Sequence, residues 1–386
     1  MSKLDELIAE LCPSGVKYGP LKQIAEVGTG SSDRVNAVDD GEYPFYVRSK
    51  NILRSNRYLF DEEAIIIPGE GGIGDIFHYV NGKYDLHQRA YRIHLIDPNV
   101  NTKFTYYCLS ANFKKFIIMK AVNATVTSIR KPMIENFQIP LPPLPVQQEI
   151  VRILDNFTEL TAELTAELTA RRKQYEYYRD LLLTFGDEVE WKTLGEIGKL
   201  IRGSGLLKSD FVEEGFPCIH YGQIHTYYGT SATETISFVS VDKSKKLKKA
   251  KKGDVLIAGV SENVEDVCKP LAWLGGDICI SGDMFAFRHN QNTKYITYLL
   301  QTTDFSRYKE KFAHGAKVTR LRQDKLLAYK IPVPPLEEQE RIVAILDRFD
   351  ALCNDLTSGI PAEIEARQKQ YEYYRDKLLS FKEVTA

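Results

Sequence analysis

The sequence predicts an α+β fold: two globular domains joined by an antiparallel two-helix coiled coil, with an internal pseudo-two-fold repeat. Three observations predict it. The chain repeats itself, the repeated parts carry long seven-residue apolar patterns, and the stretches between them match poorly.

The repeat comes first. Residues 139–144 read IPLPPL and residues 331–336 read IPVPPL, 192 positions apart. Ile153-Leu154-Asp155 recurs at the same spacing as Ile345-Leu346-Asp347, and Val126-Thr127 as Val318-Thr319. QYEYYRD at 174–180 returns unchanged at 370–376, so the second copy has gained four residues there. Upstream, VKYGPLKQI (16–24) faces VEWKTLGEI (189–197). The stretches 25–125 and 198–317 differ in length and in sequence. A chain that keeps its framework and varies its inserts is expected when the two inserts do one job on different targets.

Each framework piece opens as a proline strap. Pro140, Pro142, Pro143 and Pro145 favour extended chain and exclude a helix interior. A helix then starts near Val146, and its twin near Leu336. In the first, Ile150, Leu154, Phe157, Leu164, Leu168, Tyr175, Tyr178 and Leu182 follow alternating steps of four and three. That period belongs to a helix lying along a partner helix. The partner stripe is Ile342, Leu346, Phe349, Leu356, Ile360, Tyr371, Tyr374 and Leu378. Gly359 and Pro361 are expected to break or kink the second helix. The predicted domains are therefore 1–145, a helical spacer 146–185, a second domain 186–335 and a second helical spacer 336–386.

The 386 residues and 43% hydrophobic content suffice for two domain cores. No apolar run approaches the roughly 18 residues that span a bilayer. The acidic, amphipathic N-terminus does not read as a signal peptide, so a cytoplasmic protein with no membrane partner is expected. The six cysteines lack Cys-x-x-Cys pairing and the seven histidines lack metal-ligand spacing, so buried thiols and no metal are expected. The net charge of −1 hides a division: residues 16–137 carry +3, residues 189–329 carry +5, and the remainder −9. Mildly basic inserts on acidic helices suit domains that touch phosphate.

These landmarks resemble the specificity subunit of type I restriction-modification systems across essentially the whole chain. The resemblance rests on the paired straps leading to QQEIVRILD (147–155) and EQERIVAILD (338–347), and on the paired RRKQYEYYRDLLL and ARQKQYEYYRDKLL. It rests also on the Thr-Ala-Glu-Leu tandem through 161–164 and 165–168. The resemblance implies two target-recognition domains that bind a bipartite site in double-stranded DNA, one half each, across a fixed gap. It implies two modification (methyltransferase) subunits docked on the chain, with restriction subunits completing the assembly. It also implies no cofactor on this chain: S-adenosylmethionine and ATP with Mg belong to the partner subunits. A methylation-only system and a coiled-coil scaffold without a DNA role are the alternatives.

No catalytic residues are expected. There is no G-x-x-x-x-G-K-[ST] loop and no (D/N)PP(Y/F) tetrad. Glu190-Trp191-Lys192 looks like the end of a nuclease motif, but its counterpart Lys17-Tyr18-Gly19 has no carboxylate. The run from Gly69 to Gly74 matches G-x-G-x-x-G, yet DIFHYVNGKYD directly after it does not read as a helix. The run is expected to form a tight loop at the DNA face, and the corresponding stretch near 258–264 is read as lacking the glycines.

The expected DNA contacts fall in clusters. Arg48, Ser49, Lys50 and Asn51 come after a strand-like stretch, and Arg and Asn suit bidentate reading of guanine and adenine. His220, Tyr221 and Gln223 occupy the equivalent place. His87, Gln88 and Arg89 come after a turn. Thr127 and Arg130, with Lys317, Thr319, Arg320 and Arg322, precede the two straps. Lys248 and Lys249 lie in a lysine run suited to phosphate, which positions without specifying.

Overall fold

The computed structural model describes residues 2–120, 128–315, 318–355 and 358–384. It divides into two compact units, one of residues 1–163 with 365–386 and one of residues 164–364.

In the first unit the order is α1 (Lys3–Leu11), β1 (Tyr18–Pro20), β2 (Ala25–Thr29), β3 (Tyr43–Tyr46), β4 (Leu53–Ser55), β5 (Phe60–Pro68), β6 (His78–Leu86) and β7 (Ala90–Leu95). Then come α2 (Thr102–Lys120), α3 (Lys131–Glu135), β8 (Gln138–Pro140) and α4 (Leu144–Leu182), whose second half belongs to the second unit. Strands β2-β7-β5-β6-β3-β4 form one sheet. Ile65 and Ile67 on one face of β5 join a core with Phe104 and Phe113 of α2, while Ala64 and Ile66 on the other face pack with Tyr46 and Tyr84. The period of two puts alternate residues of β5 into two cores.

The second unit continues with β9 (Trp191–Thr193), α5 (Leu194–Ile197), β10 (Gly198–Arg202), β11 (Phe211–Val212), β12 (Phe216–Ile219), α6 (Tyr221–Thr226), β13 (Ser231–Ala232) and β14 (Ser237–Val239). It goes on through α7 (Val241–Lys246), β15 (Lys249–Ala250), β16 (Val255–Ala258), β17 (Val260–Ser261), β18 (Pro270–Trp273), β19 (Ile278–Ile280) and β20 (Met284–His289). It ends with α8 (Thr293–Leu299), α9 (Thr303–Phe312), β21 (Thr319–Arg320), α10 (Gln323–Leu327), β22 (Lys330–Pro332) and α11 (Leu336–Asn354), before α12 (Ile360–Leu378) leads back to the first unit. Its sheets are β10-β20-β16-β18-β13 and β11-β14-β12-β19-β15.

The two landmarks of each sequence repeat pair with one another. Tyr18 lies opposite Pro140 and Trp191 opposite Pro332, in matching antiparallel ribbons. Prolines fit these short ribbons because each strand has only one paired neighbour. The repeat also runs through the inserts, where the sequences drift. Phe45 pairs in parallel with Asp85, and Cys218 with Cys279. Ser32 bridges His87, and Ser204 bridges Ser281. Gly69 donates to the Arg89 carbonyl at 2.9 Å, and Gly259 to the Asp283 carbonyl at 2.8 Å. Gly259 thus stands where Gly69 stands, which corrects the reading that the second copy lacks those glycines.

The helices do two jobs. Ile150 and Leu154 enter the first unit's core, and Ile342 and Leu346 enter the second's. Further along, Phe157 stacks on Tyr374 within the first unit (5.5 Å between centroids). Phe349 lies against Tyr175 and Tyr178 within the second, at 6.5 and 5.6 Å. Arg172 reaches the Cys353 carbonyl, so the α4 residue falls as the α11 residue rises: the pair is antiparallel. The expected break after α11 is present, with Gly359 against the carbonyls of Ala351 and Leu352. Leu356 lies outside the described residues. All six cysteines are free and buried.

Candidate nucleic-acid interface

In the first unit, the turns after β3, β5 and β6 close on one another. The Gly69–Gly74 run forms a loop because Gly71, Gly72 and Gly74 take φ of +74°, +66° and +70°, a region costly for other residues. A Cβ at Gly71 would stand 3.0 Å from the Arg48 carbonyl, and one at Gly69 only 2.7 Å from that of Arg89. The glycines therefore allow three backbone segments to interlock. The chain runs from this loop into β6 rather than into a helix, in accord with the reading of a tight loop.

Glu70 sits at the meeting point. It accepts from Arg48 Nη1 at 3.0 Å and from Arg89 Nη1 at 3.2 Å. Hydrogen bonds from Arg48 and then Arg89 hold its carboxyl below the usual range. His87 is buried, and its Nδ1 accepts the Arg89 backbone N–H at 3.0 Å. Burial, with Arg48 close by, pushes its imidazole down from the ordinary range. Gln88 donates to Asp33 at 2.8 Å. Ser49 donates to the Asn51 carbonyl, and Lys50 is exposed. A cleft of about 530 Å³ opens between these turns, lined by Arg34, Arg48, Ser49, Asn51, Glu70 and His87 among others. Arg130 is exposed beside it, tied in by the Ile129 N–H on the Gly69 carbonyl at 2.8 Å. Thr127 lies outside the described residues.

The second unit places a smaller cleft, about 220 Å³, beside the corresponding turns. It is lined by Arg202, Gly259, Asp283, His314, Arg320 and Arg322 among others. Arg320 is fixed by its ladder with Val260. Arg322 forms a two-pronged pair with Asp324 at 3.0 and 3.1 Å. Thr319 is buried, with its backbone paired to Ser261, and Lys317 lies outside the described residues. His220 and Gln223 cap α6: the His220 ring accepts from Gly222, and the Gln223 side chain takes the His220 N–H and donates to Ser237. Tyr221 is anchored by its N–H on Ser281 Oγ, next to Gly282 of the cleft. Lys248 is exposed, while the Lys249 ammonium lies 4.1 Å over the Phe216 ring of the same sheet.

Sequence reasoning did not pick out Glu70 as a partner for both arginines, nor Arg34, Arg202, Asp283 and His314 as cleft residues. Arg48, Glu70 and Arg89 are far apart in the chain and carry no periodic signal. Among the described residues there is no group of three His, Cys, Asp or Glu placed to hold a metal, and no helix long and apolar enough to cross a membrane.

Two domains on one plan, each ending on the same strap and helix, define a duplicated specificity-subunit architecture. Residues 13–171 and 186–366 both match the type I restriction modification DNA specificity domain, so the chain belongs to that family and is a DNA-recognition subunit. It is 42% identical to the EcoR124I/EcoR124II specificity subunit of Escherichia coli over 245 residues, 62% of this chain and 60% of that one. It is 31% identical to a putative type I specificity subunit of Haemophilus influenzae, over 95% of this chain and 96% of the other. The fold is similar to the S subunit of a type I system from M. genitalium (TM-score 0.57, 17% identity, 96% and 97% covered). It is also similar to a chain solved in a study of type I R-M complex assembly and conformational transition (TM-score 0.62, 16% identity, 95% and 98% covered).

Proposed function

We propose that the chain reads a bipartite double-stranded DNA target, one half-site per domain, and holds two modification subunits on its helices. One observation carries this reading: two clefts lie beside the same turns of one duplicated plan, but different side chains line them. Arg48, Glu70 and Arg89 in one copy stand where the strand register puts Tyr221, Val260 and Asp283 in the other. One backbone with two side-chain sets is what two different half-sites require.

The proposed contacts are those of the turns: Arg48, Ser49, Lys50, Asn51, His87, Gln88, Arg89 and Arg130 in the first domain, and Tyr221, Arg320 and Arg322 in the second. Lys248 and the lysines near it serve phosphate. The subunit is proposed to be non-catalytic and to bind no cofactor. S-adenosylmethionine, with ATP and Mg where restriction subunits join, belongs to the partners, and the assembly works in the cytoplasm.

Single-molecule methylome sequencing of cells carrying this chain with its modification partner tests the reading. A two-part methyl-adenine motif that vanishes with the chain is expected. A partner that methylates the same motif without the chain would overturn it.

A further inference from the structure

We propose that Arg48 and Arg89 read guanine in the half-site bound by the first domain, with Glu70 as the residue that positions both. This rests on the DNA-reading function above and names the base that one cleft takes.

The first support is geometric. Each guanidinium gives Nη1 to Glu70, at 3.0 and 3.2 Å, which leaves Nε and Nη2 of each fork uncommitted by that pair. Guanine offers two acceptors, O6 and N7, in the spacing such a fork matches. The side chains are accessible: Arg48 is 44% exposed, Arg89 57% and Glu70 37%.

The second is electrostatic. Two arginines sharing one carboxylate make a cluster of net +1. A phosphate approaching it would meet the Glu70 charge as well as the two cations. A carboxylate in the groove has a use of its own, since it accepts from the cytosine amino group opposite guanine.

The third is preorganisation. Gly69 holds the Arg89 carbonyl, Gly71 packs on the Arg48 carbonyl, and the His87 ring holds the Arg89 N–H. The forks are therefore placed before DNA arrives, which lowers the cost of ordering them on binding. The second domain has Tyr221, Val260 and Asp283 at these places, so the carboxylate-held arginine pair, and with it the effect of Glu70, belongs to one half-site.

The test uses the chain complexed with its modification subunits and duplexes of its own motif with 7-deazaguanine, which lacks N7, at each guanine in turn. Binding is expected to weaken roughly 10- to 100-fold at one or two guanines of one half-site. At those positions Arg48→Ala or Arg89→Ala should lose nothing further to the deaza base, and should spread methylation in cells to other bases there. Glu70→Gln should relax the same positions, with the other half-site unchanged. Tolerance of 7-deazaguanine at every position overturns the proposal, and that measurement needs no variant to fold. So does an equal loss across all sequences in the alanine variants, which marks phosphate contact. If no motif depends on the chain at all, the parent reading fails too, and is recognised by that.

Discussion

Asp155 and Asp347 show how single residues tie each recognition domain to its helix. Asp155 accepts from Tyr107 at 2.6 Å and pairs with Lys103 at 2.7 Å; Asp347 accepts from Tyr298 at 2.7 Å and pairs with Lys294 at 2.8 Å. Gln147 and Gln339 repeat the pattern, each accepting a backbone N–H from Asn101 or Asn292. Magnitudes decide which contact matters. Lys103 and Asp155 are 38% and 35% exposed, so water screens their pair, worth about 0–1 kcal/mol. Tyr107 and Tyr298 are buried, and a hydroxyl left there without its acceptor costs about 1–3 kcal/mol. Asp155→Ala and Asp347→Ala should therefore destabilise by about 1–3 kcal/mol, while Lys103→Met should cost less than about 1 kcal/mol. Denaturant midpoints of the purified chain check the order; a lysine variant as damaging as the aspartate variants would reverse the assignment. The aspartates and glutamines were visible in the sequence as repeated letters, QQEIVRILD against EQERIVAILD. Their partners also sit in a short repeated string, NTKFTYY (101–107) against NTKYITY (292–298), but inside stretches that otherwise match poorly.

At the scale of elements, the straps and helices were legible because proline and a seven-residue period each exclude alternatives. The predicted helix starts, Val146 and Leu336, compare with Leu144 and Leu336. The common topology of the inserts was not legible. Strand pairing needs an alternating pattern and backbone hydrogen bonds, and many side-chain sets satisfy both. What survives is the occasional position where a Cβ has little or no room. Gly69 and Gly259 are such a pair, with Cβ positions 2.7 and 3.1 Å from the carbonyl oxygens of Arg89 and Asp283. Gly69→Ala should push the Arg89 turn off the β5 loop and relax the first half-site, leaving the second as it was. Methylome sequencing of the variant reads this directly: unchanged specificity in both halves would mean the turn shifts without harm, and loss of all methylation would mean the domain has come apart.

For the whole molecule, the decisive element is α4, one helix of 39 residues that supplies its first half to one unit and its second to the other. It carries Thr161-Ala162-Glu163-Leu164 and Thr165-Ala166-Glu167-Leu168 in succession. In this stretch Leu164 and Leu168 are half-buried, and Ala162, Glu163, Ala166 and Glu167 are exposed. The tetrad therefore has little packing of its own to lose. Removing Thr165–Leu168 shortens the helix by about 6 Å and turns everything after it by roughly 40°. Six ångströms is on the order of two base-pair steps of B-DNA, given one charge per about 1.7 Å from the two strands together. Neither cleft includes a residue from this stretch. The deletion should therefore change the gap between the half-sites and leave both half-site sequences as they were. Methylome sequencing of cells carrying the deleted chain decides it. A motif with the same halves at a new spacing is the expected result. The same spacing as before would show that the helix does not set the gap, and altered halves would show that the deletion had reached the domains themselves.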